Sequence, residues 1–124
     1  MSYVDGFVIP LPKDKVEDYR KMAEEAANVW MEHGALAYKE CVIDDDNISE
    51  MRSFTLAADA KPEETVIFAY IVYRSREHRD EVNAKAMADP RLQSMCDDGA
   101  LFDWRRMAYG GFKALVEFDG GPDE

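Results

Sequence analysis

Residues Thr65–Tyr73, TVIFAYIVY, place Val66, Phe68, Tyr70 and Val72 on one side of an extended chain and Ile67, Ala69, Ile71 and Tyr73 on the other. A strand apolar on both sides needs two covers, because a large apolar sheet face left in water is an interface. The chain holds enough amphipathic helix to cover one side only. The second cover is expected to be another copy of the same chain, stacked sheet on sheet about a two-fold axis.

The flanking segments place that strand in an element order. Tyr3–Leu11 reads as a first strand, ended by Pro10 and Pro12, which cannot donate to a ladder. Asp14 with Glu17 predicts a capping box, and Val16, Tyr19, Ala23, Ala26, Ala27 and Trp30 form the inner stripe of the helix that follows. Gly34 sits where a helix end wants a positive φ, and His33 beside it suits the end of the dipole. Ala35–Ile43 is a second strand, and Phe54–Ala58 a short strand or irregular return. Ser75 predicts the cap of a helix over Arg76–Ala88, stopped at Asp89-Pro90, with a further helical turn through Leu92, Met95 and Cys96 and a break at Asp97-Asp98-Gly99. Arg106–Phe118 is the last strand, where Gly110-Gly111 suggests a bulge or a close backbone approach.

The order is therefore β-α-β-β-α-β, an α+β ferredoxin-like sandwich with an antiparallel sheet and both helices on one face. Residues 1–118 are expected to form a single domain and 119–124 a disordered acidic tail.

Composition excludes more than it assigns. A length of 124 residues, 47% hydrophobic and 33% charged, suits one soluble globular domain. A net charge of −11, from 26 acidic and 15 basic residues, repels phosphate backbones, so no nucleic-acid partner is expected. No apolar run is long enough for a membrane helix, and Met1–Phe7 lacks the basic start of a signal peptide, which points to a cytoplasmic protein. Cys41 and Cys96 make no CxxC and are expected as reduced, buried thiols.

Motifs for metals and cofactors are missing from the sequence, so none is expected. Asp44, Asp46 and Glu50 imitate a calcium loop, but Ile48 takes a ligand position and the loop glycine is absent. Neither Gly110-Gly111 nor Gly120-Gly121 matches a phosphate-binding fingerprint.

The candidates for a small-ligand site are Asp5, Tyr70, His78, Asn83, Arg106 and Tyr109. Asp5 and Arg106 fall at inward strand positions, where a charge must pair or serve a ligand. They are read either as a structural pair, with Arg105 as the other choice for Asp5, or as a polar anchor with Tyr70 and Tyr109 as neighbouring donors. His78 lies on the inner stripe of its helix, and Asn83 flanks the stripe, where it is expected to satisfy a backbone group. Arg74, Arg76 and Arg79 alternate with Glu77 and Asp80 and read as a solvated face.

The segments YVDGF (3–7), GAL (34–36), EC (40–41), DD (44–45), RSREHRDEVNAKAMADPRL (74–92) and FDWRRMAYGGF (102–112) resemble, in order, the bacterial YbaA-like family DUF1428. The 44–53 loop and the tail match least. The resemblance implies the dimeric α/β barrel, in which two ferredoxin-like subunits pack their sheets together. The family has no established activity, so it assigns no catalytic residues.

Two readings of function stay open. One is a homodimer that binds a small ligand at the sheet face or binds none. The other is a small cofactor-independent oxygenase- or isomerase-like enzyme, which requires His78 and Asp5 to open onto one cleft.

Overall fold

A computed structural model describes residues 1–47, 49–97 and 101–120. The strands are β1 (Tyr3–Pro12), β2 (Ala37–Val42), β3 (Glu64–Tyr73) and β4 (Ala108–Lys113), and the helices α1 (Val16–Glu32), α2 (Phe54–Ala57), α3 (Arg76–Met87) and α4 (Pro90–Asp97). They build a single antiparallel sheet in the order β2-β3-β1-β4, with the two longest strands paired at its centre.

The register settles which side chains share a face. Phe7 opposes both Ala69 and Tyr109, and Asp5 opposes both Ile71 and Gly111, so odd positions of β1 share a face with odd positions of β3 and β4. On that face α1 packs Tyr19 and Ala23 against Ile9, Leu11, Ile67 and Ala69. The second helix on it, α3, packs Val82 against Tyr3, Ile71 and Tyr73. The sequence expectation of both long helices on one side holds.

Chain ends and caps explain the boundaries. Gly34 closes α1 at φ +115°, and Ser75 Oγ accepts from His78 N at 3.1 Å to start α3. Asp89-Pro90 both ends α3 and starts α4. Asp89 Oδ1 accepts from Arg91 N at 2.9 Å as an N-cap, and Pro90 takes the first helical position, where its missing N–H costs nothing.

Several expectations are corrected. Asp14 caps nothing, because a 3-10 turn over Lys13–Lys15 intervenes and α1 starts at Val16 without a side-chain cap. Phe54–Ala57 is a helix, capped by Ser53 Oγ on Leu56 N at 3.0 Å and tied by Asp46, whose carboxylate accepts from Phe54 N at 3.0 Å. The last strand is only Ala108–Lys113; Arg106 belongs to a preceding 3-10 turn, Trp104–Arg106. Its ladder runs unbroken across Gly110-Gly111, so there is no bulge: Gly111 gives room to the Tyr3 ring and Gly110 to Phe112. Cys41 is exposed on the edge strand. The break at Asp98-Gly99, the tail beyond Gly120 and the Cys96 side chain lie outside the described residues.

Candidate functional site

The expected site residues separate into three places. Asp5 and Tyr109 come together under α3, although with a different arginine from the one expected. Asp5 is 1% exposed, and Arg79 Nη1 donates to its Oδ1 at 2.7 Å and to Tyr109 Oη at 3.0 Å. The Arg79 guanidinium lies 5.1 Å above the Tyr3 ring, and its Nε donates to Asp80 at 2.7 Å. Arg79 is thus the buried counter-ion of the sheet and no part of a solvated face; its side chain is 12% exposed.

Burial raises the Asp5 pKa from its ordinary 3.8, opposed by the charge and hydrogen bond of Arg79 and then by hydrogen bonds from Tyr109 and Tyr73. Beside Asp5, Tyr73 Oη donates to Asn83 Oδ1 at 3.4 Å, and the same oxygen accepts from Trp30 Nε1 at 3.0 Å. Asn83 therefore serves two side chains, where a backbone partner was expected. Among the described residues, no buried side-chain nitrogen or oxygen lacks a partner. Such a satisfied, sealed network pins α1 and α3 to the sheet.

His78 takes no part in the hydrogen bonds around Asp5. Its Nδ1 accepts from Arg74 N at 2.9 Å, and its ring meets Tyr73 edge-on at 6.0 Å. With Asp5 closed under Arg79, the two do not open onto one cleft, and the oxygenase- or isomerase-like reading loses the pair it requires.

Arg106 is placed away from Asp5 altogether. It donates to Glu64 Oε2 at 2.7 Å and to the Asp59 carbonyl at 2.7 Å, which ties the turn before β4 to the start of β3. The fork fits neither expected partnership, because Arg106 precedes the strand and never enters the ladder.

Tyr70 is on the opposite side of the sheet. There Val4, Val8, Phe68, Tyr70, Val72 and Phe112 form an apolar face that, among the described residues, has no long helix over it; Phe68 is 43% exposed and Phe112 60%. The Phe112 ring lies across Gly6 and Gly110, whose missing side chains let it rest on the backbone. Among the described residues, Phe54 of α2 covers one end of the face, against Phe68 at 6.1 Å.

The arrangement with most chemical capacity lies under α1 and was not singled out from the sequence. Glu40, on the helix-facing side of edge strand β2, receives Tyr19 Oη on Oε1 at 2.7 Å and Tyr38 Oη on Oε2 at 2.8 Å. It lines a groove of about 390 Å³ between α1 and β2 whose other walls include Val16, Ala23, Ala27, Val42 and Ile67. Burial raises the Glu40 pKa from its ordinary 4.5, and the two phenol hydrogen bonds oppose that rise. The phenols are pushed upward by burial first and by the Glu40 charge second, so they stay protonated and donating. A carboxyl that resists ionisation, at the wall of an apolar groove, is suited to proton exchange or to orienting a polar ligand group. Its sequence signal is alternation: Tyr38, Glu40 and Val42 share the inward side of β2, so a carboxylate stands at a core position.

The comparisons with known proteins agree with the fold. Rv0793 from Mycobacterium tuberculosis superposes with a TM-score of 0.56 at 16% identity, over 96% of this chain and 100% of its own. A NIPSNAP family protein of unknown function from Agrobacterium tumefaciens superposes with a TM-score of 0.57 at 20% identity, over 91% of this chain and 87% of its own. At those identities the likeness concerns the fold alone. Sequence similarity goes further: YbaA of Escherichia coli K12, an uncharacterised protein, is 42% identical over 117 residues, 94% of this chain and 99% of that protein. YbaA of Shigella flexneri matches equally. With residues 2–104 also matching the family described as "Protein of unknown function (DUF1428)", the chain belongs to the DUF1428 family.

Proposed function

We propose that the protein is a homodimer that binds a small organic molecule in the groove between α1 and β2. The groove reading rests on Glu40: a half-buried carboxyl, oriented by two tyrosine hydroxyls, beside about 390 Å³ of mostly apolar space. Few oriented polar groups in an apolar cleft of that size are what small-molecule sites consist of. The test is amide-resolved NMR of the full chain titrated with small phenylalkyl compounds. Shifts gathered at Ala23, Ala27, Tyr38 and Ile67, lost in a folded Ala27→Trp variant, are the expected result. Shifts elsewhere only, or shifts unchanged by Ala27→Trp, overturn the reading.

The homodimer, a dimeric α/β barrel with the two sheets facing, is supported by the open face. In a chain of net charge −11, the strands present there Val4, Val8, Phe68, Tyr70, Val72 and Phe112, with Lys39 at the edge. A second copy brings an equally apolar and charge-poor surface, so the pairing is self-complementary without acidic repulsion. Light scattering at micromolar concentration is expected to give twice the 14.2 kDa chain mass, and Phe68→Asp to return it to one chain. A wild-type mass near 14.2 kDa overturns it.

A further inference from the structure

We propose that the groove under α1 takes an organic cation: a primary or secondary ammonium on a compact apolar body, with its N–H groups directed at Glu40, Tyr19 and Tyr38. The inference rests on the groove being a ligand site and adds the class of ligand.

A donor and acceptor count carries it. Each phenol owns a single hydrogen, and both hydrogens are spent on Glu40, one per carboxylate oxygen. What the ionised trio still offers a visitor is lone pairs only, on two phenol oxygens and two carboxylate oxygens. An ammonium supplies two or three donors and no acceptor, and matches that set. A carboxylate ligand would bring further acceptors to a trio with no hydrogen left to donate.

The rim argues the same way. Arg20 is the cation at the mouth, and it is already turned to glutamates: its Nη2 and Nε reach Glu17 Oε1 at 2.7 and 3.0 Å, and Nη1 approaches Glu24 at 4.0 Å. One positive charge set against Glu17, Glu24 and Glu40 leaves the entrance net negative, a field that gathers cations and repels anions. The apolar remainder of the lining excludes a bare, strongly hydrated metal ion and favours a cation with a hydrocarbon body.

The chemistry also predicts a proton linkage. The titratable and charged groups that line the groove with Glu40 are Tyr19, Arg20 and Glu24 from α1 and Tyr38 and Cys41 from β2, while β3 contributes Ile67. A bound ammonium favours the ionised carboxylate, so cation binding and protonation of Glu40 exclude one another.

The experiment compares three probes of one shape, 2-phenylethylamine, 2-phenylethanol and 3-phenylpropanoate, by amide-resolved NMR titration of the wild type and of Glu40→Gln. The amine is expected to bind tightest in the wild type and to lose about tenfold or more in Glu40→Gln, the scale of one charge-assisted hydrogen bond. Its wild-type affinity is expected to fall as pH is lowered through the Glu40 titration, and the Gln variant to show no such fall. Equal binding of all three probes at Ala23 and Ala27 keeps the groove as a ligand site but overturns the cation preference. Preference for the propanoate overturns it as well and assigns the rim to Arg20. Amine binding that survives Glu40→Gln overturns the role of Glu40, and absence of any shift in the groove overturns both the cation and the site. The amide spectrum of Glu40→Gln itself separates loss of Glu40 from loss of folding: its shifts along the β1–β3 pairing are expected to match those of the wild type, and the three-probe comparison in the wild type tests the cation preference without any variant.

Discussion

Asp5 and Arg79, 74 positions apart in sequence, form a buried ion pair 2.7 Å long that joins the centre of the sheet to α3. A carboxylate at an inward position of a central strand costs several kcal/mol or more without a counter-charge. Arg79 supplies it with the same nitrogen that donates to Tyr109, while Nε holds Asp80 and the guanidinium plane covers Tyr3. The planar fork hydrogen-bonds three neighbours while its face covers a fourth, which a lysine cannot do.

Arg79→Met is therefore expected to cost about 3–5 kcal/mol, because it leaves Asp5 charged and alone. The double variant with Asp5→Asn should cost much less than the two single changes added together, and Arg79→Lys should fall between wild type and Arg79→Met. Urea denaturation of the four variants measures this. Single-variant losses below about 1 kcal/mol would place the pair among ordinary surface bridges.

Gly111 lies under Tyr3, the residue beneath that guanidinium. A Cβ at Gly111 would stand 2.8 and 2.9 Å from Tyr3 Cε2 and Cζ, closer than carbon atoms pack. Gly111→Ala is expected to destabilise by about 1–3 kcal/mol through overpacking, and Tyr3→Leu in the same chain to recover part of the loss. Thermal melts of the single and double variants decide it; additive losses would remove Tyr3 as the cause.

The main architecture was legible because strand period and apolar stripe are local signals. Thr65–Tyr73 announces a strand with two apolar sides, Ser75 its helix and Gly34 its positive φ, and each is found as expected. What stayed hidden depends on how elements cross. Arg74, Arg76 and Arg79 look equivalent along the chain, and only the path of α3 over β1 selects Arg79 for burial. Likewise Phe54–Ala58 reads as a short strand or irregular return, and α2 forms there under its Ser53 cap with a tie from Asp46, eight residues before Phe54. Glu40 was hidden for a related reason: its tyrosines come from α1 and from its own strand, and the groove exists only once α1 lies across β2.

Glu40 gives the protein a pH signature of defined sign. Its folded pKa is raised above the ordinary 4.5, so the stability it contributes is full below that pH and is lost as pH rises through the folded value. Asp5 has the same sign, from 3.8 upward. Glu40→Gln keeps a neutral group between the tyrosines at every pH, so its stability relative to wild type should increase from pH 4 to pH 7, measured by urea midpoints in a common buffer series. A relative stability that is flat or falls over this range would show that the tyrosine hydrogen bonds, and not burial, govern Glu40.

Asp89 has the opposite sign. Arg91 and then His33 hold its carboxyl well below the usual 3.8, through bonds of 2.9 Å from each side chain to Oδ2. Arg91 also reaches Glu32 at 3.0 Å, so the network clamps the end of α1 to the junction of α3 and α4. A carboxyl with a lowered folded pKa contributes stability above its ordinary value and loses it as pH falls through the folded one. Asn is as good an N-cap as Asp, so Asp89→Asn removes the charge while leaving the cap of α4 in place. The variant should be less stable than wild type at pH 7, and the gap should close as pH falls from 3.8 toward the lowered folded value, through which the folded wild type loses the same charge. Amide exchange can localise the loss: faster opening is expected at the C-terminal turn of α1 and at the start of α4, with the β1–β3 pairing unchanged. Uniform acceleration across the sheet would mean that Asp89 contributes to global stability and not to this junction alone.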